Sequence, residues 1–179
     1  MADPAPGPAP AVPLALPAGT RLGDFELRAV RSSSSAGFVY DAHDHELNRR
    51  VAIKEFMPAL LASRAADGTV AAASPAQAST FEYGLRSFIN EARMLAQFKH
   101  PALVEVFRFW EENGTAYMAM PLYEGPTLKH FLSSHPEMSN ERWLRGFLAP
   151  VLDALEHMHG MQVYHRDIAP DNLLILKNG

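Results

Sequence analysis

The sequence of 179 residues contains no cysteine. This absence excludes a disulfide framework, a zinc site built on thiolates and a cysteine nucleophile. A small secreted domain held together by disulfides is therefore ruled out. The chain must rely on a hydrophobic core instead, and 179 residues with 47% hydrophobic content suffice for one domain or two small lobes.

The sequence also lacks an excess of positive charge and a long apolar run. Its 16 lysines and arginines stand against 20 aspartates and glutamates, which gives a formal net charge of −4. A nucleic-acid-binding domain usually carries a basic patch, so we expect no nucleic-acid partner. No apolar run reaches the roughly 18 residues that a transmembrane helix needs, so we expect no membrane segment in this chain and a cytoplasmic protein.

Proline is present but is unevenly distributed. Residues Met1–Ala18 hold six of the 14 prolines, and Asp3 is the only charged residue among them. Proline fixes φ and has no amide donor, so we predict a disordered Pro/Ala-rich head at residues 1–20. We do not expect the head to be a signal peptide, because the first basic residue is Arg21 and no unbroken apolar core precedes it.

After the head, β-rich segments alternate with turns, which predicts a small antiparallel sheet of five strands. Two of these strands flank Asn113-Gly114, a strong signal for a hairpin. The predicted strands span residues 24–30, 38–42, 51–54, 103–110 and 115–122.

Helical spacing of apolar residues, including Phe81, Leu85, Phe88 and Ile89, predicts a helix over 80–98. The alanine-rich segment 58–79 is interpreted as a short helix and a loop. Two further helices are predicted over 127–132 and 140–159.

Four features that could carry chemistry follow one another along the chain. The first is a small-residue turn that closes with Gly37-Phe38-Val39, and the second is the strand segment Val51-Ala52-Ile53-Lys54. The third is Glu91 on the predicted helix. The fourth is the string His165–Asn172, in which an aspartate and an asparagine are separated by four residues.

With these features in this order, the sequence resembles a protein kinase, and in particular the bacterial relatives of eukaryotic serine/threonine kinases. The resemblance extends from Leu22 to the last residue. It implies ATP as the phosphate donor, Mg²⁺, and a protein substrate with a serine or threonine acceptor. Further strings that support it are Lys54–Pro58, Phe88–Arg93, Asn113–Tyr117 and Leu155–His159.

The resemblance implies an α+β fold of the protein-kinase type. A small lobe of five antiparallel strands and one helix would occupy residues 21–120, and the hinge with a partial helical large lobe would occupy 121–179. The sequence contains no Asp-Phe-Gly motif, whose aspartate holds a metal ion in kinases. We therefore expect a chain that is truncated before this motif.

The resemblance assigns roles to four residues. Lys54 would contact the α- and β-phosphates with Glu91 as its carboxylate partner, although an ordinary strand lysine and a solvated helix glutamate are the alternatives. Asp167 would be the catalytic base that orients the acceptor hydroxyl. Asn172 would hold a magnesium ion.

The resemblance also implies a nucleotide pocket in which Lys54 takes part. Val39 and Ala52 would form its roof and Leu174 its floor. Met120 would be the gatekeeper, and Pro121 and Tyr123 would belong to the hinge. The hinge would offer the carbonyl group of Pro121 and the amide of Tyr123 to adenine.

Two positions depart from the kinase pattern. The three glycines of the phosphate loop fall on Ser32, Ser34 and Gly37, so one glycine remains, and Ala169 stands where serine/threonine kinases commonly have lysine. We expect a serine/threonine protein kinase that transfers the γ-phosphate of ATP. A catalytically impaired pseudokinase or truncated nucleotide-binding or interaction module is the alternative, and a phosphotransferase acting on a small molecule is a third class.

Overall fold

The computed structural model of the chain describes residues 14–138 and 140–176. In these residues the strands β1 to β8 are, in chain order, Arg21–Leu22, Phe25–Ser34, Gly37–Asp44, Arg49–Phe56, Ala62–Arg64, Val70–Ala72, Arg108–Glu112 and Thr115–Pro121. Six of them form one antiparallel sheet in the order β1-β2-β3-β4-β8-β7, and β5 pairs with β6 in a separate hairpin.

The described helices α1, α2 and α3 span Ala78–Leu95, Leu128–Ser134 and Glu141–Gly160. They agree with the three helices that apolar spacing predicted. The side chains of Thr127 and Asn140 accept hydrogen bonds from His130 N at 3.2 Å and Trp143 N at 3.0 Å, and these caps explain where α2 and α3 begin.

The segment between β4 and α1 differs from its prediction. The short helix and loop expected over 58–79 are the β5–β6 hairpin followed by a 3₁₀ turn at Pro75–Gln77. The Asp67 carboxylate accepts a hydrogen bond from Thr69 N at 2.9 Å, and Gly68 has φ +90°. This turn reverses the chain, and tertiary contacts override the helix propensity of the alanines.

The first described residues also differ from their prediction. Most of the predicted disordered head, residues 1–13, lies outside the described part of the chain. Residues 14–20 were included in that prediction, but Leu16 is only 7% exposed and Gly19 N donates to Leu27 O at 2.7 Å. A buried leucine and backbone hydrogen bonds hold this segment against the sheet in spite of Pro17.

The sheet has an apolar cluster on each face, because side chains alternate along each strand. Along β4, Val51 and Ile53 point to one cluster, whereas Phe56 points to the cluster that α1 covers. The apolar stripe of α1 that packs there consists of Phe81, Phe88, Ile89 and Ala92. Ala52 and Lys54 share the α1 side of the sheet.

The segment after α3 packs against the start of α2. Leu128 N donates to Leu173 O at 2.7 Å, and Ile175 N donates to Pro126 O at 3.0 Å. On α3 itself, Ala154 and Met158 are buried, while Leu148 and Leu152 are exposed. Within the described ranges, no helix has the length and apolar content to cross a membrane.

Candidate active site

Lys54 and Glu91 meet between β4 and α1. Lys54 Nζ lies 3.3 Å from Glu91 Oε1 and 5.5 Å from the centre of the Phe88 ring. The apolar stripe of α1 docks the helix on the sheet, and this docking places Glu91 opposite Lys54. The two side chains are 33% and 47% exposed, so the pair lies at an open edge that a ligand can reach.

The turn between β2 and β3 closes an antiparallel hairpin whose register shifts between Val30 and Ser32. Ser32 pairs with Val39, and Ser34 pairs with Gly37. Ala36 N donates to Ser34 Oγ at 3.2 Å, and Met57 N donates to Ala36 O at 3.0 Å, so the tip of the hairpin is tied to the end of β4.

Gly37 is required by this geometry. Its φ is +146°, and a Cβ at this position would overlap the backbone carbonyl oxygen of Glu55. The close approach of β3 to β4 therefore explains the one glycine that remains in the loop. Ser32 and Ser34 are exposed and adopt extended backbone in β2, where serine is tolerated.

Three of the residues predicted to surround adenine, Val39, Ala52 and Met120, lie in two neighbouring rows of register partners on one face of the sheet. Ala52 is buried and is the direct register partner of Met120 on β8, while Val39 is half-buried and is the partner of Lys54. Pro121 ends β8. Leu122 and Tyr123 follow it, and all three residues are half-buried.

Leu174, the predicted floor, lies on the segment after α3. It forms an isolated bridge with Thr127 just before α2 and is exposed. It therefore lies close in the fold to Thr127, four residues after Tyr123.

Asp167 and Asn172 are also brought together. Asn172 Nδ2 donates to Asp167 Oδ2 at 2.8 Å and to the Asp167 carbonyl oxygen at 3.1 Å, and Asn172 N donates to Ala169 O at 2.9 Å. Arg166 has φ +64°, a left-handed conformation that turns the chain immediately before Asp167. The loop thus presents a carboxylate and an amide side by side.

A lysine that sequence reasoning missed contacts the same loop. Lys129 N donates to Pro170 O at 3.1 Å, and its Nζ lies 3.0 Å from Asp171 Oδ2. Lys129 is on the first turn of α2, 42 residues from Asp171 along the chain, so no local pattern in the sequence joins them.

The donor atoms at Asp167 and Asn172 fit a magnesium ion. Because Asn172 uses its Nδ2 group on Asp167, its amide oxygen remains as a possible ligand, and Mg²⁺ prefers oxygen. Mg²⁺ commonly binds through one or two protein groups together with substrate phosphates. Among residues 14–138 and 140–176, no three His, Asp or Glu side chains form a metal cluster.

Comparison with known proteins decides the family. The family model described as protein kinase domain matches residues 33–179. The chain belongs to the protein kinase family. The predicted family is therefore confirmed.

Among curated proteins, the kinase chain is 30% identical to the serine/threonine-protein kinase PknD of Chlamydia muridarum over 162 residues, which cover 84% of this chain and 15% of PknD. It is 32% identical to a probable serine/threonine-protein kinase of Streptomyces coelicolor, with 88% of this chain and 21% of that protein covered. The chain thus spans about a seventh to a fifth of the length of these relatives.

Solved structures confirm the protein-kinase fold. A structure described as the PpkA-294 apo form is 44% identical and superposes with a TM-score of 0.87 over 93% of this chain and 59% of that chain. The kinase domain of Mycobacterium tuberculosis PknI matches with a TM-score of 0.68 at 23% identity, over 90% of this chain and 58% of that one.

Proposed function

We propose that this chain provides the ATP-binding and phosphoryl-transfer residues of a serine/threonine protein kinase, which moves the γ-phosphate of ATP to a protein hydroxyl. The observation that carries the proposal is the contact between Lys54 and Glu91. This ion pair joins the sheet to α1 in a chain of the protein kinase family, and Asp167 with Asn172 supplies the second half of the site.

Lys54 binds the α- and β-phosphates in this proposal. Phosphoryl transfer leaves little covalent work to the protein, so positioning and charge stabilisation provide most of the rate. The Glu91 carboxylate holds the Lys54 ammonium group in place. The hairpin that carries Ser32, Ser34 and Gly37 lies over the phosphates.

The adenine ring lies between the roof and the floor of the pocket. Ala52 and Val39 cover it from the sheet, and Leu174 supports it from below. Met120 limits the depth of the pocket. Pro121 offers a carbonyl group and Tyr123 an amide, and proline suits its position because only its acceptor is used.

Asp167 orients the acceptor hydroxyl and receives its proton as the oxygen bonds to phosphorus and the bond to ADP breaks. Asn172 keeps the Asp167 carboxylate in place through the 2.8 Å hydrogen bond and would hold Mg²⁺ with its amide oxygen. When bound, Mg²⁺ neutralises charge on the phosphates. A cytoplasmic location and a protein substrate belong to the same proposal, since the reaction needs ATP.

Transfer of labelled γ-phosphate to a mixture of serine- and threonine-containing peptides tests the proposal. Asp167→Asn should lower the transfer rate by about 10²–10⁴-fold, the usual contribution of a general base. Asp171→Asn is the matched control, since it makes the same chemical change four residues away and should leave the rate nearly unchanged. Equal rates for the parent and Asp167→Asn would contradict the proposal.

The second candidate is a nucleotide-binding or interaction module with impaired catalysis. The observation that favours it is Ala169, because a neighbouring cation that faces the transferred phosphate is missing there. Losing one preorganised donor costs about 10²–10³ in rate in other enzymes. Folded parent chain that binds ATP but transfers no phosphate would favour this candidate over the first.

A further inference from the structure

Arg64 and Glu55 form a buried ion pair on the opposite face of β4 from Lys54. Arg64 Nη2 lies 2.8 Å from Glu55 Oε1, and the two side chains are 3% and 0% exposed. Removing two charges from water is costly, and such a pair persists only when its remaining donors and acceptors are satisfied. The partners of both groups therefore show what the pair holds together.

Each nitrogen of the Arg64 guanidinium group and each oxygen of the Glu55 carboxylate has a hydrogen-bond partner, and Leu14 among these partners is 50 residues from Arg64. Arg64 Nε donates to Leu14 O at 2.7 Å, and Nη1 donates to Gly68 O at 2.9 Å. The Tyr40 hydroxyl donates to Glu55 Oε2 at 2.7 Å and accepts a hydrogen bond from Leu16 N at 3.0 Å. Burial, together with the Glu55 carboxylate, raises the pKa of Tyr40, which therefore remains a hydrogen-bond donor.

We call these four connected elements the Arg64 clasp: residues 14–16, Tyr40 on β3, Glu55 on β4, and the β5–β6 hairpin with Arg64 and Gly68. The clasp contacts β4 at Glu55, which directly follows Lys54. It also fastens the hairpin, whose other contacts include its own backbone pairing, its apolar packing and the hydrogen bond from Val70 N to Asn113 O.

The β5–β6 hairpin directly precedes α1 and packs against it. The chain runs from β6 through Pro75–Gln77 into α1, so the hairpin determines where the helix begins. Ala62 and Val70 of the hairpin pack in the same cluster as Phe88 of α1. Gln77 Nε2 donates to Leu60 O at 2.6 Å, and Val70 N donates to Asn113 O at 2.7 Å. A shift of the hairpin would therefore move the helix that carries Glu91.

We propose that Arg64 is a positioning residue for the Lys54–Glu91 ion pair. By fastening the hairpin to Glu55, Arg64 holds the base of α1 at a fixed place relative to the strand that carries Lys54. Arg64 touches neither member of the ion pair, so it acts through the hairpin and α1. The effect of Arg64 on phosphate binding rests on the proposed function. Its effect on the contact between Lys54 and Glu91 is structural and can be measured without kinase activity.

The reactivity of the Lys54 amine measures this coupling directly. Glu91 and the Phe88 ring lie against the Lys54 amine, so a Lys54 side chain released from this contact is more accessible to a reagent in solution. The folded full chain is treated with a limiting amount of an amine-acylating reagent. The rate at Lys54 is then followed by mass spectrometry relative to Lys129, a paired lysine in the same sample.

Arg64→Lys keeps a positive charge but loses the fork that reaches three acceptors. It should raise the relative acylation rate of Lys54 by about threefold or more, a coupling in the range found between residues that share a network. The Glu91→Gln variant shows how much the acylation rate of Lys54 rises when the ion pair is fully broken. In a Glu91→Gln background, Arg64→Lys should raise the rate no further.

Arg49→Lys is the matched control. Arg49 is also on β4 and its Nε lies 3.3 Å from the buried carboxylate of Asp44, but it lies at the opposite end of the strand from Glu55 and the hairpin. It should leave the relative rate at Lys54 unchanged. An equal rise in Arg49→Lys, or no rise in Arg64→Lys, would overturn the proposal, as would a full additive rise in the Glu91→Gln background.

A second variant covers the case in which Arg64→Lys does not fold. Glu55→Met combined with Arg64→Met removes both buried charges, a change that proteins often tolerate. It should be folded and should again show faster acylation of Lys54. Loss of the fold in both variants would overturn the proposal, because the clasp would then sustain the whole lobe rather than place one pair.

The outcome is separable from the proposed function. If the parent transfers no phosphate but Arg64→Lys exposes Lys54, the inference stands and the kinase proposal fails for this chain. If the parent transfers phosphate and Arg64→Lys leaves both Lys54 acylation and the transfer rate unchanged, the kinase proposal stands and the inference fails.

Discussion

Lys54 and Glu55 are consecutive residues of β4 with opposite tasks. Lys54 points toward α1 and meets Glu91 at an open edge, whereas Glu55 points into the buried cluster and meets Arg64. This follows from the two-residue period of a strand, which sends neighbouring side chains to opposite faces. One short strand thus carries both a partly exposed charge, which we propose binds phosphate, and a buried charge paired within the lobe.

The role of Glu91 can be tested by comparing the Glu91→Gln variant with the parent. Glu91→Gln should lower kcat/KM for ATP on the order of 10–100-fold, because Lys54 loses the group that orients it. Steady-state kinetics on the folded variant provides the measurement.

Glu82→Gln is the control for this prediction, since Glu82 is on the same helix and contacts Arg86 at 3.4 Å on its surface. It should behave like the parent. A similar loss in both variants would indicate a general effect on α1 rather than a role for Glu91.

Among the elements, the β2–β3 hairpin is constrained by a close approach of backbones at Gly37. Gly37→Ala should lower the free energy of unfolding by about 1–3 kcal/mol, since a Cβ would meet the Glu55 carbonyl group and the left-handed φ favours glycine. Urea unfolding measures the change.

Gly146 provides the opposite case. It lies inside α3, and nothing lies within 4 Å of a Cβ added to it. Gly146→Ala should raise the free energy of unfolding by about 0.5–1 kcal/mol through helix propensity. A loss of stability in Gly146→Ala equal to that in Gly37→Ala would contradict this account of the two glycines.

The turn after β3 depends on a charged carboxylate. Burial of Asp44 opposes its charge, but the Leu47 and Glu46 amides and the Arg49 side chain outweigh burial and hold the pKa of Asp44 below its ordinary value of 3.8. A lowered pKa in the folded state contributes stability above pH 3.8, and that stability is lost as the pH falls through the folded pKa.

Asp44→Asn should therefore be less stable than the parent at neutral pH, and the difference should shrink as the pH is lowered below about 4. Denaturant unfolding at a series of pH values measures the difference. A difference that stays constant down to the lowest pH would show that the Asp44 charge does not contribute.

Sequence patterns predicted the elements that depend on local periodicity. The helix α1 follows from the spacing of Phe81, Phe88 and Ile89, and the β7–β8 hairpin follows from Asn113-Gly114. The β5–β6 hairpin was missed because its alanines favour a helix, while the contacts that decide the outcome come from Glu55 and Leu14. Such long-range partners leave no local pattern.

The same distinction holds for the site. The motifs predicted that Glu91 would be the carboxylate partner of Lys54, because the family order was recognisable, but they gave no indication that Asn172 would donate to Asp167. The contact of Lys129 with Asp171 could not be predicted, since it depends on how α2 packs against a loop 42 residues away.

For the whole molecule, the two lobes are joined at more than the hinge. His100 Nε2, just after α1, lies 2.9 Å from Asp153 Oδ2 on α3, and the Phe98 ring packs edge-on against His157 of α3. These contacts hold the sheet and the helical part in one arrangement. The residues proposed to bind ATP come from both parts, so binding should depend on both.

Calorimetric titration with Mg-ATP tests most directly whether these residues form one ATP site. We expect the parent to bind Mg-ATP saturably. Lys54→Met should bind at least about tenfold more weakly, since a charge-assisted contact contributes ~1.5–3 kcal/mol. Lys129→Met, which removes a lysine outside the predicted phosphate site, should bind like the parent. Equal affinity of the parent and Lys54→Met, or no binding to folded parent, would contradict the account.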